Sequence, residues 1–119
     1  MRTPSLLIAI ATVVLSTGCA TVSESNLYWG NYSKTLYQVK KYPGEASNAA
    51  HEQELKSIVE KSKERNLRVP PGIYAELGMY ALERGEKNVA ENYFRLEQET
   101  YPEGAVLMQR TLQRTLEKS

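Results

Sequence analysis

Two glycines, two alanines and a proline, set at fixed offsets between residues 74 and 102, restrict what this chain can fold into more than anything else in it. The segment reads Tyr74-x₂-Leu77-Gly78-x₂-Ala81, then Ala90-x₃-Phe94, then Pro102. Offsets of three and four place apolar residues on one face of a helix. Gly78 removes a side chain where two antiparallel helices must approach closely, and Ala90 keeps the same crossing close. Gly85 permits a tight turn between them. Tyr74, Leu77 and Phe94 fill the layer between the helices. Pro102 cannot continue the second one.

This spacing resembles a tetratricopeptide repeat. Ala81 stands where tyrosine is usual, with Tyr80 beside it, and Glu97 stands where a small residue is usual late in the second helix. Such units bury their apolar faces on neighbours. The resemblance therefore implies a hairpin over 31–65 on one side and a helix over 105–117 on the other. The 31–65 hairpin lacks the Leu-Gly and Ala-x₃-Phe signals, so it would be a degenerate repeat. In arrays of this kind the first helix of each pair lines the concave surface. That implies Ala75, Met79, Leu82 and Glu83, which lie off the packing stripe, as candidate partner-binding residues. The set is mostly apolar and lacks the basic and amide residues that clamp a terminal carboxylate in some repeat proteins. It points to an apolar or helical partner segment. The alternative is that the fifth helix or the 31–65 hairpin covers these positions.

The rest of the chain reads as helices between turn signals, with no sustained alternation that would make a strand. The expectation is an all-α fold of antiparallel hairpins, about five helices after a cleaved signal peptide. Asn31 or Ser33 caps a first helix to about Lys41, with Tyr32, Leu36 and Val39 on one side. Pro43-Gly44 breaks it. A second helix runs from about Glu45 to Arg65 on a stripe of Leu55, Ile58 and Val59, and Asn66 is its left-handed stop. Pro70-Pro71-Gly72 opens a third, with a proline in its first turn, reaching about Arg84. A fourth covers about Lys87 to Tyr101. A fifth covers about Ala105 to Glu117, with Met108, Leu112 and Leu116 on one stripe.

The N-terminal residues fix an address. Met1 and Arg2 give a small positive region, Leu6 to Leu15 is an apolar run, and Leu15-Ser16-Thr17-Gly18-Cys19-Ala20 follows. These are the parts of a secretory signal. Ten residues make roughly 15 Å of helix, half of the ~30 Å hydrocarbon layer, so a permanent span is not expected. Cys19 is the only cysteine, so no disulfide is available. The arrangement resembles a bacterial lipoprotein signal, which implies cleavage after residue 18, lipidation of Cys19 and anchoring through membrane lipid. Ser16 stands where leucine is usual. Ala20, in the place where aspartate retains lipoproteins in the inner membrane, implies the outer membrane. Residues 20–26 read as a polar tether of about 24 Å at most.

Composition excludes several classes. The chain has 15 basic residues and 14 acidic ones, all Glu, and one histidine. Loss of Arg2 with the signal leaves a formally neutral chain, with no basic excess for nucleic acid. A lone His51 on the polar side of the second helix, beside Glu52 and Glu54, is expected to be solvated. No second His or Cys completes a transition-metal site. There is no Asp for a Ser-His-Asp triad, no Gly-x-Ser-x-Gly elbow, no P-loop and no dinucleotide fingerprint. The expectation is a protein without catalytic residues, metal or cofactor.

One further block is specific. Leu27-Tyr28-Trp29-Gly30-x-Tyr32, Leu36-Tyr37 and Asn66-Leu67-Arg68-Val69-Pro70-Pro71-Gly72-Ile73-Tyr74-Ala75-Glu76-Leu77-Gly78, together with the lipoprotein-like cysteine, resemble the small bacterial lipoproteins of the domain-of-unknown-function family 4810. That family carries no established activity. Its members are often encoded beside a lipoprotein similar to the curli secretion channel CsgG, which implies an envelope assembly with a CsgG-like partner. The expected role is an outer-membrane interaction module or assembly accessory. The alternatives are a glycan-binding envelope factor and a structural spacer. The aromatic residues Tyr28, Trp29 and Tyr32 serve the glycan reading by stacking on sugar rings, or sit at lipid headgroups, or cap the open end of the first hairpin.

Overall fold

The computed structural model describes residues 26–117. The signal-like run, Cys19 and most of the tether lie outside the described residues. Five α-helices follow in order: α1 Tyr32–Lys41, α2 Glu45–Glu64, α3 Ile73–Glu83, α4 Lys87–Thr100 and α5 Ala105–Glu117. A 3₁₀ turn, Pro102–Gly104, joins α4 to α5. No strand occurs among the described residues, so the fold is all-α. Helices adjacent in the chain pack on one another, and the α3/α4 hairpin is the tightest pair.

The stops are made by the residues that signal them. Asn66 takes φ +54°. The Leu67 and Asn66 amides donate to the carbonyls of Ser62 and Lys63, which satisfies the last turn of α2. Gly85, at φ +76°, ends α3 in the same way, with Glu86 and Gly85 donating to Ala81 and Leu82. One expectation is corrected. Pro70 and Pro71 do not enter the first turn of α3; they form a turn ahead of it, and Gly72 is the N-cap at φ +89°. The Gly72 amide donates to a buried carboxylate, Glu97 Oε1, at 2.7 Å. Glu97 on α4 thus caps α3, which gives this buried carboxylate a role within the fold.

Two apolar clusters hold the hairpins together. The first combines Leu55 and Ile58 of α2 with Val69, Ile73, Tyr74 and Leu77. Tyr101 closes its lower edge by donating to the Val69 carbonyl at 2.8 Å. The second is Ala81, Ala90 and Phe94, with Leu82 and the α5 residues Met108 and Leu112 packed on it. Gly78 lies directly against the Phe94 ring. The α3/α4 residues picked out by spacing are therefore the ones at the contact. On α1, Tyr32, Leu36 and Val39 are half-buried toward the rest of the fold.

Candidate functional site

His51 is the largest departure from the sequence reading. It is 1% exposed, not solvated. Its Nδ1 lies 2.7 Å from Thr35 Oγ1 on α1, and its Nε2 lies 3.0 Å from Glu76 Oε2 on α3. The other Glu76 oxygen accepts a hydrogen bond from the Tyr32 hydroxyl. A buried polar ring needs partners on both nitrogens, and here they come from the helices on either side of α2. The signal was present in the periodicity. His51, Leu55, Ile58 and Ser62 are the buried residues of α2, and their offsets of four, three and four form one continuous stripe. The stripe extends backwards to the histidine, whose flanking glutamates belong to other faces.

This polar cluster forms part of the floor of an open cleft of about 270 Å³ between α1, α2 and α3. Leu36 and Val39 of α1 and Met79 of α3 make its apolar walls. His51 and Asn48 of α2 and Glu76 and Tyr80 of α3 form the base, and Lys40 and Glu83 stand at the rim. Burial, then the hydrogen bond to Glu76 and that carboxylate's charge, push the Tyr32 phenol up to about 12. Burial and the charges of Glu76, Glu83 and Glu52 push the Tyr80 phenol up as well. Burial alone would raise the Glu52 carboxyl, but hydrogen bonds from Lys56 and Arg84 hold it below its ordinary value.

The four residues expected on a concave surface divide. Met79, 47% exposed, and Glu83 line the cleft. Ala75 is half-buried outside its lining. Leu82 packs on the Ala81/Ala90/Phe94 cluster, which Met108 and Leu112 of α5 also join. The three aromatic residues divide too. Tyr28 lies against the first core cluster, with the Arg65 guanidinium 4.3 Å and Lys61 Nζ 5.9 Å from its ring centre. Tyr32 is tied to Glu76. Trp29 meets Tyr32 edge-on at 5.4 Å and keeps an exposed face. Tyr28 and Tyr32 both pack against the first core cluster, and Trp29 stands against Tyr32.

Among the described residues no group of three or more His, Cys, Asp or Glu is placed to hold a metal ion. No helix among them is long and apolar enough to cross a membrane.

What the site defines is a small helical domain with an open, mixed cleft between its first three helices. The chain belongs to the family described as Domain of unknown function (DUF4810), whose model matches residues 27–111, from just ahead of α1 into α5. No curated protein and no solved structure matches it.

Proposed function

We propose that this chain is an outer-membrane lipoprotein whose tetratricopeptide-like helical domain is an interaction module in an envelope assembly. The cleft carries the reading. Its walls are apolar, its base is polar and hydrogen-bonded, and its rim holds Lys40 and Glu83. Such a surface suits an apolar side chain of a partner protein, with the rim charges fixing orientation. Docking there requires no rearrangement of the His51 network, which is already satisfied. The signal-like run and Cys19 supply the address, and a CsgG-like lipoprotein is the partner suggested by family resemblance.

Met79 is the test. It is half-exposed on the cleft wall and lies three residues after Glu76 and four before Glu83. Met79→Lys puts a cation between two carboxylates on the same helix face, so stability should change by under about 0.5 kcal/mol. Intact protein extracted from membranes should lose its co-purifying partner on this change. Full retention of that partner by a folded Met79→Lys chain would remove the cleft from the proposal.

A further inference from the structure

The outward side of α1 has no role in the cleft or in the core. The helix Tyr32–Lys41 carries Lys34, Lys40 and Lys41 and no acidic residue, in a chain of nearly balanced charge. Its inward side is Tyr32, Thr35, Leu36 and Val39, all half-buried. Lys40 turns toward the cleft. Lys34, Tyr37 and Lys41, spaced by three and four, make the opposite side. Tyr37 and Tyr42 are 56% and 59% exposed. Lys41 Nζ sits 5.6 Å from the Tyr37 ring centre and 5.2 Å from that of Tyr42. The Glu54 carboxylate of α2 accepts a hydrogen bond from the Asn31 amide, just ahead of α1.

From this face we infer that α1 rests on anionic lipid headgroups. Single-sign charge with tyrosines around it is the chemistry of a membrane interface: amphipathic rings sit at headgroup depth while lysines meet phosphates. The inference rests on the proposed anchor at Cys19, and the anchor also favours lipid over an acidic protein as the occupant. A tether of about 24 Å at most makes α1 the first helix beyond the bilayer surface. Each lysine near an anionic surface strengthens association roughly fivefold, so Lys34 and Lys41 together bias the tethered domain toward this orientation by roughly 25-fold.

The test uses the full lipidated chain. Trp29 is the only tryptophan, so Trp29→Phe with Tyr37→Trp leaves one fluorescent reporter at the centre of the face. The chain is reconstituted in vesicles brominated near the headgroups. One set is phosphatidylcholine alone; the other has phosphatidylglycerol as one lipid in three. Incorporation of labelled fatty acid reads the anchor separately. Quenching of the reporter should be clearly greater in the phosphatidylglycerol vesicles and should fall with added salt. Lys34→Gln with Lys41→Gln, helical content unchanged, should bring it down to the phosphatidylcholine level. Equal quenching of an acylated chain in both vesicles overturns the inference and leaves the anchor standing, with an acidic protein as the occupant to seek. A chain that takes up no fatty acid overturns both.

Discussion

Phe94 lies so close to Gly78 that no other residue fits without a shift: a Cβ there would fall 2.6 Å from Phe94 Cε1. The ring is 1% exposed and packed among Ala81, Ala90, Leu82 and the α5 side chains, so it has little space to yield. Gly78→Leu should therefore destabilise the domain by about 1–3 kcal/mol, the usual cost of overpacking. On an exposed helix face the same change would stabilise by nearly 1 kcal/mol, because leucine is the better helix former. Thermal unfolding checks the sign. Each 1 kcal/mol lost should lower the midpoint by about 4–8 °C in a domain of this size, and a rise would contradict close packing at Gly78. Gly78, Ala90 and Phe94 are legible in the sequence because two small residues and a large ring at these offsets fit a close helix crossing. His51 reads as solvated because its neighbours in sequence are charged, while its partners lie 16 and 25 residues away. Only the continuous stripe to Leu55 and Ile58 pointed inward.

At the scale of elements, α1 is held by half-buried side chains and polar ties. It has no fully buried residue, and its polar ties to the other helices include Thr35 to His51 and Tyr32 to Glu76. The Tyr32 hydroxyl therefore links α1 to α3 across α2. Tyr32→Phe keeps the ring beside Trp29 and His51 but removes the donor, and should lower stability at neutral pH by about 1 kcal/mol. The effect should also depend on pH in a defined direction. The phenol ionises near 10.0 in its ordinary state and near 12 in the fold. Between those values the folded chain keeps a proton that the unfolded chain has lost, so stability falls as pH rises. The contribution of the hydroxyl is whole below pH 10 and disappears toward pH 12. Urea unfolding of both chains at neutral and alkaline pH checks this, and the gap between them should narrow above pH 10. Helix existence was legible throughout, because Asn66, Gly85 and Pro102 each mark a stop by conformation rather than by partner. The start of α3 was not. Two consecutive prolines satisfy the first-turn rule and the preceding-turn rule alike, and the choice was made by Glu97, a side chain on another helix.

For the whole molecule, the proposed anchor and the domain make separable demands. The described helices provide no membrane span, and in the proposed reading the ten-residue run at 6–15, roughly 15 Å as a helix against ~30 Å of hydrocarbon, is a cleaved signal. In the proposed reading, attachment depends on acyl chains at Cys19, where two or more chains make anchoring stable at about 0.8 kcal/mol per buried CH₂. Serine presents a hydroxyl where lipoprotein processing requires a thiol. Cys19→Ser should therefore block both acylation and cleavage at this site while leaving the fold from residue 27 onward intact. Loss from the membrane fraction is the wrong measurement, because an uncleaved apolar run can itself hold the precursor at the inner membrane. The informative pair is labelled fatty acid and chain length. The variant should carry no label and should migrate as the full 119-residue chain, whereas the parent should be labelled and shorter by the signal. Normal labelling and normal processing of Cys19→Ser would sink the lipoprotein reading, and would leave α1 without the tether that brings its lysines to the bilayer.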